Sequence, residues 1–296
     1  MFVKKNKSTN NSKNGKIPVK NNLEINPCEV LSVDLIGAWK GTIQNIEENR
    51  KETIEISALT MMDDASGWLE IIPILNKNSR EITYLVDSEW FYRYPRPLVC
   101  RHDNGGKFDR REFQELLQSY GIKSKPTTVK NPQRNGMHER AHLLIAEMLR
   151  TQTIEVENTA NMQNEIRKIL QSVAFAIRTT ISSVTKFAPS HCVFGRDMIM
   201  HEKEIVKWHE LWERRTVQAI RENLRENKGR SNHKYKRGDK VLIITKSNER
   251  GGKLHKFMHK GPYKIMKVYG NGTIKIKCNN FKEIVHIRRV KPYFEK

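Results

Sequence analysis

The spacing of apolar residues changes character along this chain, and that change restricts the fold more than any other feature. From Cys28 to about Arg178, short apolar runs alternate with stretches of helical period. Leu31-Ser32-Val33-Asp34-Leu35-Ile36-Gly37 reads as a buried strand ended by Gly37. Ile54 to Met62 and Trp68 to Leu75 read as two more strands, with Asp63, Asp64, Ser66 and Gly67 as the turn between them. Ile82, Leu85, Val86, Glu89 and Trp90 follow helical spacing, and Leu98-Val99-Cys100 is a short strand. Phe113, Leu116, Leu117 and Tyr120 share one helical face, stopped at Gly121. Further helices are expected from about Met137 to Arg150 and from about Asn161 to Arg178. Alternation of this kind predicts an α/β fold, a mixed sheet layered with helices.

Beyond an irregular stretch from Pro189 to Lys207, residues 208 to 228 are heavily charged and helical in period, which suits a solvated connector. The rest carries only short strands: Val241 to Ile244, Tyr263 to Val268, Thr273 to Lys277 and Ile284 to Ile287, with glycine turns between them. That pattern predicts a small all-β barrel. At the other end, residues 1 to 27 are rich in Asn and Lys and poor in large apolar residues, the composition of a disordered basic linker. The expected division is therefore a linker over 1–27, an α/β domain over 28–200, a helical connector over 201–230 and a barrel over 231–296.

Net charge narrows the class of partner. The chain carries +21 at pH 7, and residues 228 to 296 hold 20 Lys or Arg against 4 Asp or Glu, so about 16 of that surplus sits in the C-terminal segment. A surplus this size points to a polyanion, of which nucleic acid is the commonest. The four cysteines, Cys28, Cys100, Cys192 and Cys278, lie too far apart for a CxxC zinc knuckle or a compact disulfide framework. No run approaches 18 consecutive apolar residues, and the N-terminus lacks the apolar core of a secretion signal, so a soluble intracellular protein with no membrane partner is expected.

Three acidic residues stand out by position. Asp34 sits inside an apolar strand, where an unpaired carboxylate would cost several kcal/mol. Asp103 follows directly on a strand and opens a Gly-Gly turn, where backbone can approach a phosphate closely. Glu139 lies in the first turn of a helix, just after Asn135-Gly136. If the strands of Asp34 and Asp103 are neighbours, their carboxylates meet at one sheet edge and the helix brings Glu139 over them. Taken singly, Asp103 and Glu139 could be a turn cap and a helix cap. Converging carboxylates suit a hard cation with oxygen ligands, and two such ions about 3.5–4 Å apart can activate an attacking oxygen and stabilise a leaving one.

One motif competes. His138-Glu139-Arg140-Ala141-His142 matches H-E-x-x-H, a zinc metalloprotease signature, with Glu165 downstream as a candidate third ligand. A zinc protease has no use for Asp103-Asn104-Gly105-Gly106 or for a basic barrel, and an Asn-Gly just before the motif marks a helix start. Asp63 and Asp64 read as turn residues, and Trp39, Trp68 and Trp90 as core; Trp208 and Trp212 could pack a connector or a partner subunit.

The runs VDLIGAW, HDNGGKF and NPQRNGMHER, with 35 residues between Asp103 and Glu139, resemble the D,D-35-E core of retroviral-type integrases. The runs FAPSHCVFGRDM, YKRGDKVLI, HKGPYKIMKVYGNGTIKI and HIRRVKPY are similar to integrases of gypsy-type LTR retrotransposons. This resemblance covers residues 28 to 296 and implies a ribonuclease H-like core followed by an SH3-like DNA-binding barrel. It implies removal of nucleotides from element DNA 3′ ends and attack of those ends on target DNA. Asp34, Asp103 and Glu139 would be catalytic and hold two Mg²⁺ or Mn²⁺ ions. Asn104, Gly105, Gly106, Gln133, Asn135 and Gly136 would border the DNA end; Tyr263, Lys264, Lys275 and Lys277 would meet nucleic acid. Double-stranded DNA, as element end and as target, and further copies of the chain are the expected partners; the nucleus is the expected place of action, with the cytoplasm or a cytoplasmic particle otherwise. Three positions depart from the family pattern. Residues 4 to 20 resemble the linker after the family's N-terminal zinc module, whose paired His and paired Cys are not found here; Ala38 stands where Pro is usual; and Leu143 and Leu144 replace basic or polar residues. The missing zinc ligands leave a second function class open, a non-catalytic or domesticated DNA-binding remnant, although an intact triad argues against decay.

Overall fold

The computed structural model describes residues 13–19, 24–45, 50–74, 78–103, 108, 110–126, 142–147, 153–156, 162–200, 202–244, 259–278 and 281–294. They fall into two compact units, one drawn from residues 24–212 and one from 13–19 together with 213–294. In chain order the elements begin with β1 (Lys13–Asn14), β2 (Val30–Asn45), β3 (Arg50–Asp63), β4 (Leu69–Ile74), α1 (Ser79–Val86) and β5 (Val99–His102). Next come α2 (Arg111–Ser119), β6 (Lys123–Pro126), α3 (residues 142–147), β7 (Thr153–Val156), α4 (Met162–Thr179), α5 (Pro189–Phe194) and α6 (Trp208–Lys228). The C-terminal strands are β8 (Arg230–Ser231), β9 (Lys240–Ile244), β10 (His259–Val268), β11 (Thr273–Cys278), β12 (Phe281–His286) and β13 (Val290–Pro292).

The first unit is built on a mixed six-stranded sheet in the order β4-β3-β2-β5-β6, with β7 also paired to β2. β2 runs antiparallel to β3 and parallel to both β5 and β7. The expected end of the first strand at Gly37 is not an end. Gly37 adopts φ 104°, and the register against β3 shifts between Gly37 and Trp39. A Cβ there would lie 2.4 Å from the Ile56 carbonyl oxygen, so the position demands glycine, and the strand bulges and continues.

Side-chain alternation divides the sheet into two faces. Leu31, Val33, Leu59 and Met61 pack with Ile82, Val86, Trp90, Phe113 and Leu117 of the α1–α2 layer. Ile36, Ala58, Met62 and Ile71 pack with Ile145 of α3 and with Ile166, Leu170 and Val173 of α4. α1 starts because Asn78 Oδ1 accepts from the Glu81 amide at 2.7 Å, and a π-helical turn over Asp87–Phe91 extends it. α2 gives way at Gly121, φ 68°. A buried pair ties β4 to α4: Arg178 bonds Glu70, donates to the Leu69 carbonyl at 2.7 Å and stacks over Trp68. Of the three predicted core tryptophans, Trp68 and Trp90 are buried and Trp39 is partly so. The start of α6 belongs to this unit: Leu211 packs on Phe187 and Cys192, and Trp212 Nε1 donates to the Ile25 carbonyl at 3.2 Å.

The second unit carries a five-stranded antiparallel sheet, order β12-β11-β10-β9-β13. The predicted barrel is thus an antiparallel sheet, with no pairing that closes it among the described residues. Part of the segment expected as a disordered linker is ordered here. β1 pairs in parallel with β8, and Ile17 lies in the core beside Val241, Ile265 and Ile274. Asn227 of α6 grips both polar groups of Ile17: its Oδ1 accepts from the Ile17 amide at 2.8 Å and its Nδ2 donates to the Ile17 carbonyl at 2.9 Å. The buried Arg230 donates to the carbonyls of Gly15 at 2.6 Å and Asn14 at 3.0 Å. Composition missed this strap because a single apolar residue anchors it and backbone groups hold the rest. No helix among the described residues is long and apolar enough to cross a membrane.

Candidate metal centre and nucleic-acid surface

β2 and β5 lie side by side in parallel, with Val30 opposite Val99 and Val33 opposite His102. One step further along that register, Asp34 stands next to Asp103, which follows immediately after β5. Alternation puts both on the sheet face that carries α3 and α4. Burial pushes the Asp34 carboxyl up to about 6, the Leu35 amide bonded to it acts the other way, and the neighbouring charge of Asp103 raises it further. The Leu35 amide donates to Asp34 Oδ1 at 2.8 Å, and Thr60 Oγ1 donates to the Asp34 carbonyl at 3.1 Å. A partly buried carboxyl beside a second carboxylate favours a neighbouring positive charge. The pair therefore fits a divalent cation with oxygen ligands.

Glu139 lies outside the described residues, as do Asn104, Gly105, Gly106, Gln133, Asn135 and Gly136. Among the described residues, no group of three or more His, Cys, Asp or Glu is placed to hold a metal ion. The described part of α3 opens at His142, three residues after Glu139 in sequence, and His142 Nε2 lies 3.5 Å from Thr60 Oγ1. α3 thus reaches the β3 residue paired with Asp34. His138 also lies outside the described residues, so the competing zinc motif is placed only at His142 and Glu165. Glu165 is ion-paired with Lys168 at 2.6 Å. Asp63 and Asp64 serve the turn: Asp63 accepts from Ser66 and the Cys28 amide, while Asp64 accepts from Ser32 and pairs with Arg101.

The C-terminal sheet carries a feature that sequence alternation only half revealed. Lys240 is opposite Lys264, Lys264 opposite Lys277, and Lys277 opposite Lys282. Four exposed lysines therefore form one row across β9, β10, β11 and β12, and Lys267 opposite Lys275 begins a second. Like charges directly opposed across strands destabilise a sheet, and an anion laid along the row would reverse that cost. Sequence reasoning found Lys264, Lys275 and Lys277 but missed Lys240 and Lys282, because strand register is not readable along one strand. Tyr263 is half-buried against the sheet core, and burial raises its phenol above the ordinary value.

No protein-family model matches the chain. Over 264 residues, 80% of its length, it is 27% identical to the retrovirus-related Pol polyprotein from transposon 412 of Drosophila melanogaster, and it spans 20% of that polyprotein. It is 32% identical over 97 residues to the Pol polyprotein of feline endogenous virus ECE1, a third of this chain and 9% of that one. A chain of the simian T-cell lymphotropic virus intasome, solved in complex with PP2A regulatory subunit B56 gamma, superposes with a TM-score of 0.58 at 13% identity, covering 98% of this chain and 86% of that one. The chain spans only about a fifth of the first of these polyproteins. With the mixed sheet, the flanking helices and the C-terminal antiparallel sheet in place, the chain is similar in sequence to retrovirus-related Pol polyproteins and shares the fold of the intasome chain.

Proposed function

We propose that the chain is an integrase of an LTR retrotransposon that trims the 3′ ends of element DNA and joins them to target DNA. The observation that carries this reading is the placing of Asp34 on β2 beside Asp103 just past the adjacent parallel β5, where the Asp103 charge adds to the rise of the Asp34 carboxyl. Asp34, Asp103 and Glu139 would hold two Mg²⁺ or Mn²⁺ ions, which supply activation of the attacking oxygen and neutralisation of the leaving one. The long strand β2 fixes the backbone of Asp34, which lowers the reorganisation needed at that ligand when substrate arrives. α3, docked through Ile145 and His142, would carry Glu139 to the same place. Phosphates of double-stranded DNA would lie along the lysine row of the C-terminal sheet, a contact that positions without reading bases. Action on DNA in the nucleus, by more than one copy of the chain, belongs to the same proposal.

The test incubates the protein with a labelled element-end duplex and Mg²⁺ or Mn²⁺. Shortened 3′ ends and joined products are expected, and Asp34→Asn, Asp103→Asn and Glu139→Gln should each abolish them with DNA binding retained. Full joining by Glu139→Gln would refute the triad. Equal activity without divalent metal would refute the mechanism.

A further inference from the structure

We propose that His102 is a positioning residue that aims the Asp103 carboxylate at Asp34, an inference that rests on the metal-site reading above. The imidazole is buried, 1% exposed, on the sheet face away from the Asp103 side chain. Its ring packs against Phe108 and Phe113, with centroids 5.5 and 5.7 Å away. Nδ1 lies 2.7 Å from the main-chain oxygen of Asp103, and Nε2 lies 2.9 Å from Ser124 Oγ on β6.

Those partners fix the roles. A carbonyl oxygen can only accept, so Nδ1 carries the hydrogen and donates it to Asp103. In the neutral ring Nε2 is then the acceptor, and the Ser124 hydroxyl donates to it. The imidazole thus holds the main chain at the residue that follows β5. Holding the Asp103 carbonyl fixes the peptide plane that follows it, and with it the direction in which Cβ leaves the backbone. Rotation of that peptide plane would add to the cost of ordering the carboxylate for a metal. His102 lowers that ordering cost without touching metal or substrate.

Mn²⁺ titration of the full-length chain by calorimetry separates this role from packing. His102→Asn keeps an N–H near the Nδ1 position and loses the Nε2 arm; His102→Gln reaches the Nε2 position and leaves the Asp103 carbonyl without its donor. Ser124→Ala removes only the partner of Nε2. Supporting groups of this kind are worth about 10- to 100-fold in metal affinity. His102→Asn and Ser124→Ala should therefore bind Mn²⁺ within about threefold of the unaltered chain, and His102→Gln should be weaker by about tenfold or more. A packing role reverses this order, since Asn leaves the larger cavity and affinity would follow melting temperature. In the unaltered chain, an imidazole ¹H–¹⁵N correlation spectrum, assigned by the signal lost in His102→Asn or through the sequential backbone, should show hydrogen on Nδ1 and bare Nε2. Equal weakening by Asn and Gln, or an Nε2–H tautomer, overturns the proposal. If Asp34→Asn leaves Mn²⁺ binding unchanged, the metal-site reading falls, and the tautomer alone decides whether the clamp on Asp103 exists.

Discussion

Asp34→Asn should make the metal-free protein more stable at neutral pH while destroying its chemistry. The folded chain holds the Asp34 carboxyl at about 6 against an ordinary value of 3.8, chiefly through burial and then through the Asp103 charge. Because the folded value is the higher one, the folded state keeps a proton that the unfolded state releases between these two pH values. The associated stability is complete below about pH 4, falls as pH rises, and is gone above about pH 6. Roughly two pH units of displacement correspond to about 3 kcal/mol, and partial exposure of the carboxyl discounts this to about 2. Asn removes the charge, and its Oδ1 can still accept from the Leu35 amide. In a chelator-containing buffer at pH 7.5 the variant should therefore melt some 4–8 °C higher, at 2–4 °C per kcal/mol for a unit of this size. At pH 4 the two proteins should melt together. Adding Mg²⁺ should raise the melting temperature of the unaltered chain and leave the variant unmoved. Differential scanning calorimetry at both pH values reads all of this. A variant less stable than the unaltered chain at pH 7.5, or a difference that does not shrink toward pH 4, would refute the reasoning.

Other perturbations follow from the second unit and the bulge. Changing Lys240, Lys264, Lys277 and Lys282 together to Gln should reduce the slope of log K against log salt by about 3–4 for random duplex, at roughly 0.9 per phosphate contact, as measured by fluorescence anisotropy; an unchanged slope would move the basic surface elsewhere. Ile17→Asp should destabilise the C-terminal unit by about 2–4 kcal/mol in urea titration, since it places a charge in the core beside Ile265 and Ile274, whereas a disordered linker would tolerate it. Gly37→Ala should lower the melting temperature of the first unit through both its positive φ and the collision with the Ile56 carbonyl, and a neutral outcome would show that the bulge can relax.

The elements read most directly from sequence are those whose period is uninterrupted. α4 and α6 lie where their spacing placed them, and β3 and β4 match within a few residues. Gly37 misled the reading because a glycine that ends a strand and one that bulges it look alike until the partner strand is known. β6 and β7 were missed because Lys123-Ser124-Lys125-Pro126 and Thr153 to Val156 are too short and too polar to show a period. The irregular stretch after Pro189 hid the short helix α5, whose six residues are fewer than two turns. At the site, Asp34 and Asp103 were legible because each breaks a local rule, a charge within an apolar run and a charge where a strand stops. Neither the clamp of His102 nor the lysine row was legible, since both depend on which residues face each other across strands.

The central claim is that Asp34, Asp103 and Glu139 together hold divalent metal, and Mn²⁺ placed by anomalous scattering in crystals of the full chain tests it most directly. Two peaks about 3.5–4 Å apart are expected beside Asp34 of β2 and Asp103 just past β5, held by these two carboxylates and Glu139. Peaks at His138 and His142 instead, or none at Asp34 and Asp103, would contradict the account.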